Sequence, residues 1–131
     1  MRYLLLALTL LALTSSARAQ APDWGTAHEI DVHLTNFHFT PDKLEMRHGE
    51  AYRLHLINDA NGGHDFDAGA FFAAAQIAPS DQAKIKKGSV ELKGGETADI
   101  RLVAPAAGTY KLHCSHFMHS TFGMTGEIVV S

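Results

Sequence analysis

Apolar residues recur at every second position through several short stretches of the chain, the spacing of β-strands that bury one face. The first stretch runs from Glu29 to Leu34, where Ile30, Val32 and Leu34 are expected to point inward, and Phe37 and Phe39 continue the same alternation. Pro41 and Asp42 interrupt it, Leu44 and Met46 resume it, and His48-Gly49-Glu50 reads as a turn. Between Ala51 and Asn58, Tyr52, Leu54 and Leu56 alternate with Arg53, His55 and Ile57, which predicts a second long strand. It runs into Asn58-Asp59-Ala60-Asn61-Gly62-Gly63, a concentrated loop signal, and His64-Asp65-Phe66 follows directly. Ala68 to Ala78 is rich in alanine and phenylalanine with no β-branched residue before Ile77, so a short helix is expected there, covering one edge of the fold.

Further strands are predicted over Ser89–Leu92, Thr97–Val103 and Thr109–Cys114, separated by turns at Lys93–Glu96 and Pro105–Gly108. In the last of them Tyr110, Leu112 and Cys114 share a face, so Cys114 should reach the interior at the end of a strand while His113 points away. Thr125 to Val130 reads as a closing strand. Short strands at this spacing, joined by Gly and Pro turns and accompanied by one short helix, predict an all-β fold, a Greek-key β-sandwich in a single domain.

Ahead of that domain the chain begins Met1-Arg2-Tyr3, continues through an apolar block from Leu4 to Leu13, and reaches Ala17-Arg18-Ala19. The block is well short of the ~20 residues a membrane-spanning helix needs, and Ala-x-Ala is the pattern a signal peptidase cuts after. Residues 1–19 are therefore expected to be a signal peptide, cleaved before Gln20. The expected product is the 112-residue domain 20–131, soluble, periplasmic and without a membrane span. It is expected to work as a monomer.

Without Arg2 and Arg18 the domain carries 9 basic against 14 acidic residues, a net charge of −5 with histidines neutral. Phosphate backbones are bound by clustered Lys and Arg, and no basic stripe is present, so nucleic acid is not an expected partner. The single cysteine has no internal disulfide partner, which an exported chain would otherwise favour.

That cysteine lies in His113-Cys114-Ser115-His116-Phe117-Met118-His119-Ser120-Thr121-Phe122-Gly123-Met124, which holds three of the nine histidines and two of the four methionines. The spacing Cys114-x4-His119-x4-Met124 puts a thiolate, an imidazole and a thioether on one loop. These are three quarters of the donor set of copper electron-transfer sites. A second histidine should come from a loop at the same end of the sandwich, and His64, just after Gly62-Gly63, fits that place.

The sequence Gly63-His64-Asp65-Phe66, then Gly108-Thr109-Tyr110, then Cys114-x4-His119-x4-Met124 followed by Gly126-x-Ile128-Val129-Val130, resembles the cupredoxins, small copper proteins related to plastocyanin, azurin and rusticyanin. The match extends to Phe37-x-Phe39-x-Pro41 and Asn58. It implies a cupredoxin-like sandwich holding one type 1 copper ion through His64, Cys114, His119 and Met124. Gly63 matches the position whose carbonyl approaches copper in azurin. Asp65 departs from the asparagine common after the first histidine. Its N–H is expected to bond the Cys114 sulfur and its carboxylate to accept from the Ser115 hydroxyl, tying the two ligand loops together. His116 is a rival to His119, and Met118 to Met124; His119 is favoured because its placement with Met124 fits the site.

His33 and His55 are expected on outward strand faces, and His28, His38 and His48 at strand ends or turns. Nine histidines are an excess for this length, so an additional surface copper held by strand histidines is a further expectation. Phe117, Met118 and Phe122 surround His119, either as an apolar patch for a redox partner or as packing that stiffens the loop. The resemblance implies a one-electron carrier, with copper tolerance or copper handling as the alternative, in which case the partners are copper-handling proteins. An enzyme is not expected: multicopper oxidases need His on both sides of the cysteine and His-x-His pairs, whereas Ser115 follows Cys114 and no His-x-His occurs.

Overall fold

The computed structural model describes residues 20–131; the expected signal peptide and its cleavage site fall outside the described residues. Among the described residues, ten strands form two five-stranded sheets. They are β1 His28–Thr35, β2 His38–Thr40, β3 Lys43–Met46, β4 Ala51–Asn58, β5 His64–Asp67, β6 Gln76–Ile77, β7 Ser89–Leu92, β8 Thr97–Val103, β9 Gly108–His113 and β10 Thr125–Val130. One sheet has the order β2-β1-β4-β8-β6 and the other β3-β10-β9-β5-β7. Most neighbours are antiparallel, but β1 runs parallel to β4 and β3 parallel to β10.

The core follows from the alternation. Val32 and Leu34 of β1, Tyr52, Leu54 and Leu56 of β4, Ile100 and Leu102 of β8 face Leu44, Phe66, Val90, Leu92, Leu112 and Ile128 of the other sheet, all buried. Two expectations need correction. Phe37 does not continue the inward face: the chain turns at Asn36 and Phe37, with Phe37 at φ 67°, and only Phe39 enters the core. The helix α1 spans Gly69–Ala74 and stops short of Ala78, because Ala75 is extended and Gln76 and Ile77 pair with Val103 and Leu102 of β8. A 3-10 helix over Pro79–Lys84, which alternation does not signal, then buries Asp81 against Arg101 and Lys84. Among the described residues, no helix is long and apolar enough to cross a membrane.

Four connections meet at one end of the sandwich: the β1–β2 turn, the β4–β5 loop, the β9–β10 loop and the β7–β8 turn. Asn58 fastens two of them. Its side-chain amide donates to the carbonyls of Gly62, Leu92 and Lys93 at 2.9, 3.1 and 3.0 Å, and its Oδ1 accepts from Ala60 N–H at 3.0 Å. Gly94 permits the close approach this requires, since a Cβ there would lie 2.0 Å from the Asn61 carbonyl oxygen. The loop that delivers His64 is thereby pinned to the opposite turn.

Candidate metal centre

His64 opens β5 and is buried, held in register by pairing with Leu92 of β7. Cys114 lies immediately beyond β9 and is fully buried, as the shared face of Tyr110, Leu112 and Cys114 predicts. The β9–β10 loop closes on itself: Cys114 N–H donates to the Met124 carbonyl at 3.1 Å and Met124 N–H to the His119 carbonyl at 3.0 Å. Three of the expected ligands thus sit on one hydrogen-bonded loop, with Met124 fully buried and Met118 in the left-handed region and 40% exposed.

The Cys114 Sγ lies 3.9 Å from His64 Nδ1 and 3.4 Å from His119 Nδ1, and the two Nδ1 atoms are 3.1 Å apart. A point equidistant from these donors is about 2.0 Å from each, close to the bond lengths of a first-row metal to imidazole and thiolate. Two imidazoles, one thiolate and a buried thioether are soft donors suited to copper. The two imidazoles and the cysteine sulfur therefore fit a copper ion by spacing, and the donor set as a whole fits it by chemistry.

Surrounding groups tune these donors. Burial pushes the Cys114 thiol up to about 11, against the pull of backbone N–H groups of Asp65 and His116 that bond the sulfur. Desolvation, followed by the neighbouring His119 and His116, lowers the His64 pKa and favours the neutral ring that a metal needs. Burial alone would raise the Asp65 carboxyl, but bonds from the hydroxyl and N–H of Ser115 and from the Ser89 hydroxyl outweigh it and hold the group below the usual carboxylate range. The Ser115 N–H reaches Asp65 Oδ1 at 2.6 Å, and the hydroxyls of Ser115 and Ser89 both donate to Oδ2. The expected link between the two ligand loops is in place, with Ser89 as a third tie from β7.

Two contributors escape sequence reasoning. Asn36, in the β1–β2 turn, places its Oδ1 3.3 Å from His64 Nε2, so the ring nitrogen turned away from the cluster has a partner. Phe37 beside it packs edge-on against the His119 ring, with centroids 5.3 Å apart and planes at 86°. Phe117 and Phe122 are 90% and 61% exposed, so the apolar patch around His119 is the better description, although Phe122 also leans on Phe37.

Comparison with known proteins identifies the family. The sequence model of the Cupredoxin-like domain family matches residues 3–130. The chain belongs to that family. Among solved structures, this cupredoxin superposes on reduced auracyanin from the photosynthetic bacterium Roseiflexus castenholzii with a TM-score of 0.60 at 17% identity, over 80% of this chain and 98% of that one. It superposes on a multicopper oxidase from Pseudomonas thermotolerans with a TM-score of 0.66 at 20% identity, over 86% of this chain and 31% of that one. These likenesses show the shared fold. In sequence it is 27% identical to the multicopper oxidase mco of Staphylococcus aureus over 77% of this chain and 25% of the relative. It is 25% identical to a copper resistance protein A homolog of Pseudomonas syringae pv. tomato over 66% of this chain and 15% of the relative. The chain thus spans a quarter or less of the length of these relatives.

The remaining histidines of this cupredoxin sit mostly against carboxylates. His33 and His55 lie 2.6 Å from Asp59 and Asp99, and His28 3.5 Å from Glu50. Among the described residues, one other group of three donors gathers within 4.8 Å, Asp65 with Glu91 and His116, and it contains no strand-face histidine. Its Asp65 oxygens are already occupied by Ser115 and Ser89.

Proposed function

We propose that His64, Cys114, His119 and Met124 hold one copper ion, and that this cupredoxin is an exported one-electron carrier. The observation that carries the proposal is the triangle of two imidazole nitrogens and one thiol sulfur sized for a single ion, buried at His64 and Cys114 and half-buried at His119. When bound, the copper supplies a one-electron couple between Cu(I) and Cu(II). The protein's part is to keep one donor geometry for both states. Asn58 pins the His64 loop, Asp65 ties that loop to Ser115, and the Cys114–Met124 backbone bond closes the other. A site held this rigidly on sheet ends changes little between oxidation states. The exposed Phe117 and Phe122 beside His119 suit brief apolar docking of a redox partner at the edge of the site. Export follows from reading residues 1–19 as a signal peptide.

Copper handling is the second reading, favoured by the similarity to a copper resistance protein A homolog. The His-x-His pairs of a trinuclear cluster are lacking in this sequence, so transfer without catalysis is proposed. Loading the protein with Cu(II), reducing it, and challenging it with a Cu(I) chelator separates the readings. A carrier retains the ion and regains its full colour on reoxidation; a handling protein surrenders Cu(I) upon reduction. Oxygen uptake with a phenolic or cuprous substrate above that of free copper would contradict the absence of catalysis.

A further inference from the structure

His116 follows the ligand cysteine by two positions and lies among the donors: its ring centroid is 5.3 Å from that of His119 and 6.3 Å from that of His64. It is a third imidazole beside the cluster that the proposed ligand set does not use. Its Nε2 is instead held by both carboxylate oxygens of Glu91, at 2.9 and 3.0 Å. Glu91 stands on β7 directly opposite Asp65 on β5, so sheet register brings it to the β9–β10 loop from across the site. The pair lies over Gly63, where a Cβ would come within 3.1 Å of His116 Cε1 and 3.2 Å of Glu91 Oε1. Held in this way, the His116 ring stacks beside His119 with the planes at 28°, and the His116 carbonyl accepts from His119 N–H at 3.1 Å.

We propose that Glu91 is a positioning residue that decides which histidine of the loop meets the metal, by anchoring His116 away from the ion and laying its ring beside His119. The inference rests on the type 1 reading above and adds the selection device to it. A hydrogen-bonded pair this exposed shifts an equilibrium between two side-chain positions by about 2- to 5-fold, enough to weight the choice between two imidazoles of one loop and, once removed, to let the rival in. The half-exposed Glu91 side chain makes its replacement tolerable to the fold.

The test compares Glu91→Ala, Glu91→Gln, His116→Ala and the Glu91→Ala/His116→Ala pair as Cu(II)-loaded full-length mature domains by visible and paramagnetic resonance spectra. Glu91→Ala should show a second Cu(II) species beside the parent one. Glu91→Gln, which keeps an acceptor for the ring, should retain one species, and His116→Ala should too. Adding His116→Ala to Glu91→Ala should abolish the second species. A single parent-like species in Glu91→Ala, or a second species that persists in the double variant, would overturn the proposal. A metal-free readout stands apart from copper: histidine ring NMR should show a hydrogen-bonded His116 Nε2–H in the parent and Glu91→Gln that is lost in Glu91→Ala. Its absence in the parent would also overturn the proposal. A parent protein without any thiolate-to-copper band would instead sink the type 1 reading and leave the NMR result to judge Glu91.

Discussion

Replacing Asn58 with alanine removes the clamp that sets the end of β4 against the turn before β8. The side chain is 1% exposed and engages three carbonyls and one N–H. Its amide has two hydrogens, so three full hydrogen bonds are a fair count with the Ala60 bond included. At about 1 kcal/mol net each, with a further penalty for buried carbonyls left without a donor, the loss is about 3–4 kcal/mol. That is a large share of the 5–15 kcal/mol typical of a domain, and it corresponds to a fall in Tm of roughly 10–20 °C. Urea and thermal unfolding of the metal-free protein measure it directly. Asn58→Asp sharpens the test: the shape is kept, but a carboxylate would face three carbonyls, so it should destabilise at least as much as alanine at neutral pH. Copper titration of the variants should show weaker binding, because His64 leaves this same loop. A loss under about 1 kcal/mol, or an aspartate variant as stable as the parent, would refute the clamp.

The Asp65 carboxylate, tied to Ser115 next to the cysteine, is expected to favour Cu(II) over Cu(I) in the proposed site. Asp65→Asn should raise the reduction potential by about 100 mV, from ~2–3 kcal/mol of Coulomb energy at an effective dielectric constant near 20; an unchanged potential in a redox titration would contradict this. Asp81 is buried, and although burial works to raise its pKa, bonds from Arg101 and Lys84 hold the carboxyl down to about 2. Its folded pKa is depressed, so its contribution is complete above the ordinary aspartate value and is lost as pH falls from about 4 to 2. The loss is about 2 kcal/mol, and Asp81→Asn should flatten that part of the stability profile measured by denaturant titration.

Much of the sandwich is legible because each strand buries one face. The expected spans of β7 and β8 coincide with the observed ones, and Cys114 is buried where its alternation with Leu112 puts it. Phe37 is misread because a turn with φ 67° interrupts an apolar pattern that continues through it. The tail of the predicted helix fails because pairing with β8, a tertiary effect, overrides alanine's helical preference at Ala75. The loop donors announce themselves by type and spacing. Asn36 and Glu91 do not, since their roles arise only when the sheets bring them to residues 28 and 25 positions away. An exposed glutamate on an edge strand carries no sequence mark of such a role.

Whether Cys114 binds copper is read from the visible absorption and paramagnetic resonance spectra of the Cu(II)-loaded mature protein and its Cys114→Ser variant, with copper per chain counted. An intense thiolate-to-copper band at one copper per chain, lost in the variant, is the predicted result. A weak band identical in both proteins would mean that Cys114 does not bind the metal, and would contradict the account.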